Sequence, residues 1–172
     1  IFISKTMTSG AHTITVEVED IYGNAGSSSL TIEVEAQATK VENQISNGTL
    51  NPEDQVSIGV TLYDQADDVM TDYVKLEVYD SKSRLITETE IASEESITYK
   101  IPQFAPPGEW TVKSYYLNED TEQEQVSASD IIIINELQKL DFQIIDTLLY
   151  IRNIGNVKYT EDVDIEVTGL DQ

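Results

Sequence analysis

The sequence predicts an all-β chain, a tandem string of small two-sheet sandwiches, and three observations predict it. Apolar and polar residues alternate with period two along almost the whole length. Clusters of Gly, Asn, Asp and Pro break that alternation at roughly ten-residue intervals, the spacing of strands in a sandwich. Nowhere do apolar residues recur at three-four spacing behind a helix cap.

In the first segment Ile14, Val16 and Val18 alternate with Thr13, Thr15, Glu17 and Glu19. The cluster Asp20-Ile21-Tyr22-Gly23-Asn24-Ala25-Gly26 turns the chain, and Leu30, Ile32 and Val34 alternate on the way back. Such a pair is a β-hairpin with one apolar and one solvated face. Alone it is marginal in water, because nothing covers the apolar face.

From about residue 40 a full set of strands is expected. Val41 to Ile45 opens it, and Asn47-Gly48 and Asn51-Pro52 close that strand. Val56, Ile58, Val60 and Leu62 share a face of the next strand, and an acidic loop from Asp64 to Asp68 leads to Val74, Leu76 and Val78. Leu85 to Ile91 and Ile97 to Ile101 follow. Pro106-Pro107-Gly108 then turns into a strand carrying Trp110, Val112, Ser114 and Tyr116, and Val126 to Ile134 ends the set. That gives about seven strands, with Trp110, the only tryptophan, filling the centre of the core. The run Ile131-Ile132-Ile133-Ile134 reads either as a strand buried on both faces or as one that pairs with a neighbouring molecule.

The pattern then restarts. Leu140, Phe142 and Ile144 alternate, Asp146-Thr147 turn, Leu149 and Ile151 return, and Gly155-Asn156 turn again. Val163, Ile165 and Val167 form a further expected strand before Gly169. Residues 1–37 thus read as the closing hairpin of one module, 38–135 as a complete module, and 136–172 as the first strands of another. The half-modules could be completed by flanking sequence, by each other, or by strand exchange between copies. The chain opens on Ile1-Phe2-Ile3 in mid-pattern and reads as part of a longer polypeptide.

Two stretches carry a resemblance. Gly10-Ala11-His12-Thr13-Ile14-Thr15-Val16 running into Asp20-Ile21-Tyr22-Gly23-Asn24 resembles the closing hairpin of bacterial and archaeal immunoglobulin-like repeats. Leu148 through Arg152-Asn153-Ile154-Gly155-Asn156 resembles the N-x-G-N strand and turn of cell-adhesion-related bacterial and archaeal modules. The middle segment is similar to fibronectin-like or macroglobulin-like sandwiches through Pro107-Gly108-Glu109-Trp110-Thr111-Val112. The resemblance implies tandem immunoglobulin-like β-sandwich modules in an extracellular setting, and it implies no activity.

Composition bounds the function. The 172 residues are 40% apolar, with 32 acidic against 10 basic side chains and a net charge of -22. Such a surface repels nucleic-acid backbones and anionic headgroups, so neither is an expected partner. No apolar run is long enough to insert in a membrane as a helix. With no cysteine, disulfides, thiolate metal sites and thiol nucleophiles are excluded. His12 is the single histidine, so an imidazole pair is excluded too, and no phosphate-cradling loop or nucleophile elbow is present. The chain is not expected to be an enzyme.

A few residues remain as candidates. Asp64, Asp67 and Asp68 crowd one loop, where they are either a solvated turn or a calcium site, calcium being the one cofactor the sequence admits. Asn47-Gly48-Thr49 is the only N-x-[ST] sequon, either a glycan acceptor at Asn47 or simply a tight turn. Tyr73 and Tyr79 fall on the outward face of their strand and suit either contact with a glycan or protein ligand or an ordinary β surface. The expected function is a non-catalytic structural module of a prokaryotic cell-surface or secreted protein, a stalk, surface-layer or filament subunit. Its partners would be neighbouring modules or copies of itself. The alternative is an adhesin or binding module.

Overall fold

The computed structural model describes residues 6–118 and 123–166, and every regular element in it is a β-strand. Ile1-Phe2-Ile3, Val167 and Gly169 lie outside the described residues. Strands β1 (Gly10–Glu19) and β2 (Ala25–Val34) form the first hairpin. Eight strands follow: β3 (Lys40–Ile45), β4 (Thr49–Leu50), β5 (Gln55–Tyr63), β6 (Tyr73–Tyr79), β7 (Leu85–Ala92), β8 (Ser96–Lys100), β9 (Gly108–Leu117) and β10 (Glu124–Ile134). The last hairpin is β11 (Leu140–Ile145) and β12 (Leu148–Asn153).

The eight middle strands make two sheets, one of order β3-β5-β8 and one of order β4-β10-β9-β6-β7. Every pairing is antiparallel except β4 against β10. Period-two alternation decides what each strand buries. Val56, Ile58, Val60 and Leu62 from one sheet share a core with Val74, Leu76, Val78, Trp110, Val112, Ile132 and Ile134 from the other. Trp110 is fully buried, and its indole N–H donates to the Pro106 carbonyl at 2.8 Å, so the ring brings no unsatisfied donor into the core. Ser114, fully buried in the same strand, donates its hydroxyl to the Asn43 side-chain oxygen and so ties β9 to β3.

Two expectations need correction, and one strand is added. The Val163-Ile165 stretch forms no strand, because among the described residues no neighbour supplies a ladder along 162–166 and its side chains stay exposed. Ile131 to Ile134 is not buried on both faces. Ile132 and Ile134 point into the core, whereas Ile131 and Ile133 are 55% and 44% exposed. The two-residue strand β4 was not anticipated, since Thr49-Leu50 is too short to show a period.

Three turns share one construction. In Asp20-Ile21-Tyr22-Gly23-Asn24 the first carboxylate accepts the backbone N–H groups of Tyr22 at 2.8 Å and Asn24 at 2.9 Å. In Asp64-Gln65-Ala66-Asp67-Asp68 the Asp64 carboxylate takes those of Ala66 and Asp68, and in Asp80-Ser81-Lys82-Ser83-Arg84 the Asp80 carboxylate takes those of Lys82 and Arg84. Each is closed by a backbone bond from the fourth residue to the first carbonyl. The fourth residue holds a positive φ: 83° at Gly23, 63° at Asp67 and 58° at Ser83. Only Gly accepts that conformation freely. The short Asp146-Thr147 turn of the last hairpin is different, with both residues at positive φ, the primed geometry that matches strand twist.

Ser83→Gly should therefore relieve strain in the third turn. Steric relief of about 1–2 kcal/mol is offset by about 0.4–1 kcal/mol of unfolded-chain entropy. A net gain of about 0.5–1 kcal/mol in chemical denaturation is expected, and a loss would contradict the shared-turn account.

Candidate functional site: two joints and a tyrosine face

The register of β5 fixes where the flanking hairpins attach. Lys40 pairs with Tyr63 at one end of β5, and Lys100 pairs with Gln55 at the other. Eight residue steps separate those ends, about 26 Å at strand rise. The chain enters the sandwich at the Tyr63 end and leaves it near the loop that follows Lys100.

A carboxamide with three backbone bonds centres each joint. At the entry, Gln65 accepts the Gln37 backbone N–H at 2.7 Å and donates to the carbonyls of Met7 at 3.1 Å and Glu35 at 3.4 Å. Thr39 adds a hydroxyl bond to the Asp64 carbonyl at 2.6 Å. At the exit, Asn156 accepts the Leu137 N–H at 2.6 Å and donates to the carbonyls of Ala105 at 3.0 Å and Asn135 at 2.9 Å. Gln103 reaches the Ile154 carbonyl at 3.2 Å. A carboxamide suits this work because one planar group both donates and accepts.

The N-x-G-N stretch is built around that clasp. Asn153 accepts the Gly155 N–H at 2.9 Å and donates to the Val157 carbonyl at 2.7 Å. Ile154 and Asn156 bond by their backbones to Lys139 and Leu137. A Cβ on Gly155 would sit 1.9 Å from the Leu137 carbonyl oxygen, so only glycine allows the two segments this approach.

The acidic loop serves the entry joint. Asp64 is 2% exposed, and its carboxylate is occupied by the turn that presents Gln65. Asp67 and Asp68 point to solvent. Among the described residues no group of three or more His, Cys, Asp or Glu side chains is disposed to hold a metal ion. His12 donates its Nε2–H to the Thr8 carbonyl at 2.7 Å within the first hairpin.

The outward face of the five-stranded sheet centres on Glu77. Its two carboxylate oxygens accept the Tyr79 hydroxyl at 2.8 Å and the Tyr115 hydroxyl at 2.9 Å. The Lys113 ammonium lies 4.6 Å from the centre of the Tyr115 ring and pairs with Glu124 at 2.8 Å. Burial first, and then the bond to Glu77, push the Tyr115 hydroxyl up to about 12. The bond to Glu77, reinforced by burial, raises Tyr79 as well. Tyr79 is thus half-buried and committed, whereas Tyr73 is 67% exposed. Tyr73 edges a shallow hollow with Asp72, Lys75, Glu90 and Tyr116. Asn47 lies exposed between β3 and β4.

Gln65 and Asn156 were not singled out from the sequence. For Asn156 the signal was present in the N-x-G-N stretch. For Gln65 there was none beyond its place between two aspartates.

Two outcomes follow. Asp64→Asn keeps the oxygen that locks the turn and should leave thermal stability nearly unchanged. Asp64→Ala removes the acceptor of two part-buried N–H groups and should cost about 1–2 kcal/mol; equal loss from both variants would mean that the charge, not the turn, matters. For Tyr115 the folded state holds its proton more tightly than the unfolded chain. Its contribution is complete below pH 10 and is lost as pH rises toward about 12. Glu77→Gln should bring tyrosinate absorbance to lower pH and flatten the alkaline fall in melting temperature.

No family model matches the chain, and no curated protein matches it in sequence. Among solved structures it is similar to dimeric latent PorU from Porphyromonas gingivalis, at 14% identity and a TM-score of 0.40, over 75% of this chain and 13% of that one. The chain therefore spans a small part of the length of that protein.

Proposed function

We propose that the chain is a non-catalytic, load-bearing segment of an extracellular or cell-surface protein of a prokaryotic envelope, a stalk or surface-layer element of immunoglobulin-like modules. The three-plus-five division of strands, closed by the parallel β4–β10 pair, supports the immunoglobulin-like reading.

One observation carries the reading: the chain enters at the Tyr63 end of β5 and leaves at the far end, so tension applied through the two joints would run along the strands and across the β4–β10 pair. That pair is held by Ile133 N–H to the Gly48 carbonyl and Asn135 N–H to the Leu50 carbonyl, both at 2.8 Å. Bonds perpendicular to the pull would break together rather than in sequence, and this geometry supports a load-bearing reading. The acidic, shallowly contoured surface fits a spacer that must avoid sticking to its neighbours.

A second reading, adhesion to a glycan or protein, rests on the open Tyr73 ring. Glycan-array binding that disappears in Tyr73→Ala would favour it.

Pulling experiments test the first reading, and the absence of native cysteine makes introduced thiols unique handles. Handles at Gln37→Cys and Glu136→Cys load the sandwich along its strands. Handles at Tyr73→Cys and Ala92→Cys, partners at the end of the β6–β7 pair, peel that pair open one bond at a time. The first geometry should need clearly more force and release about 300 Å of chain in one step. Equal forces in the two directions would sink the load-bearing reading.

A further inference from the structure

The chain has eight asparagines, and their carboxamide nitrogens divide sharply. Asn24 donates to Asp20, Asn43 to Asp130, Asn51 to Asp54, Asn135 to Asn51, Asn153 to the Val157 carbonyl, and Asn156 to two carbonyls. Asn118 also makes an interaction of its own. Of the seven others, only Asn47 has an Nδ2 with no hydrogen-bond partner among the described residues, and Asn47 is also the asparagine of the single N-x-[ST] sequon.

The local geometry aims that nitrogen outward. The Asn47 side-chain oxygen accepts the backbone N–H of Thr49 at 3.1 Å, which fixes one end of the carboxamide and leaves the other to solvent. Asn47, Gly48 and Thr49 are all exposed. A Cβ built on Gly48 would meet nothing within 4 Å, so the middle of the tripeptide stands in open space. The Thr49 hydroxyl makes no bond within the described residues and is free for a transferase to read. In a protein where polar side chains lock turns and joints, this site holds its acceptor atom in reserve.

We propose that Asn47 is an N-glycosylation site that accepts its sugar on the folded module. The co-reactant is an oligosaccharide on a polyprenyl-phosphate carrier. The Asn47 Nδ2 forms a bond to the anomeric carbon as the bond from that carbon to the carrier phosphate oxygen breaks. The carrier phosphate departs with the electron pair, and the amide proton passes to a base of the transferase. The attached glycan lies beside Ile133, which pairs with Thr49 and is 44% exposed, and it shields the short β4–β10 contact. The proposal goes beyond the load-bearing reading and does not depend on it, since acceptor chemistry and mechanical strength are measured separately.

The test is transfer to the folded full chain by a purified oligosaccharyltransferase supplied with polyprenyl-linked oligosaccharide, its activity established on an unrelated acceptor peptide. Intact mass should rise by one oligosaccharide, and peptide mapping should place it on Asn47. Asn47→Gln and Thr49→Ala should abolish the gain, and Thr49→Ser should retain it. Modification elsewhere, or of Thr49→Ala, would overturn the proposal. So would failure of the folded chain to accept sugar, whether or not a free peptide spanning residues 45–51 does.

Discussion

A strand hides one face only when a second sheet lies over it, and this constraint governs the whole chain. The middle sandwich meets it internally. Its stripes close on Trp110 from both sheets, and even the indole nitrogen is satisfied within the module. The flanking hairpins do not meet it among the described residues. Val16, Val18 and Leu30 in the first hairpin, and Phe142, Ile144 and Leu149 in the last, stay exposed. A two-stranded ribbon with one bare apolar face is marginal by itself. Each hairpin therefore depends on the middle module for its position and on further cover for its stability.

The strands were legible in the sequence because burial imposes a period, and the period survives wherever a strand is long enough to repeat it. It failed at the two ends of that range. Thr49-Leu50 is too short to show alternation, yet it makes the parallel pair that closes the larger sheet. Val163 and Ile165 alternate correctly, but among the described residues no partner strand lies beside them. Alternation records what a strand could bury and says nothing about whether a ladder exists.

The candidate site was legible only in part, and the reason is the double use of carboxylates. Asp20 was readable as a turn residue because Gly23 announces the positive φ three positions on. Asp64 and Asp80 build the same turn with Asp67 and Ser83 in that place, so the glycine signal is missing. A loop of three aspartates then reads either as a cation site or as a solvated turn; Asp64 locks the turn, and Asp67 and Asp68 are exposed. At Asp80 burial acts to raise the acid, but the bonds from the Arg84 backbone and guanidinium and from the Lys82 backbone outweigh it, and the carboxyl is held below its ordinary range. The same network leaves Arg84 and Asp80 paired at 2.6 Å. What fixes that loop is backbone geometry, with charge as reinforcement.

The choice of Gln65 and Asn156 at the joints follows from the chain's own electrostatics. At a net charge of -22, adjoining surfaces repel, and an ion pair holding two modules would weaken with salt and vanish on titration. A hydrophobic joint would need a patch exposed before assembly, an aggregation hazard. A carboxamide avoids both problems, because it carries no charge, titrates nowhere in the accessible pH range, and still makes three directional bonds to backbone groups that belong to different segments. Backbone carbonyls and N–H groups as partners add a further independence, since their positions are set by strand ends and not by the identity of neighbouring side chains. The clasp therefore keeps its geometry while surface residues vary and ionic conditions change.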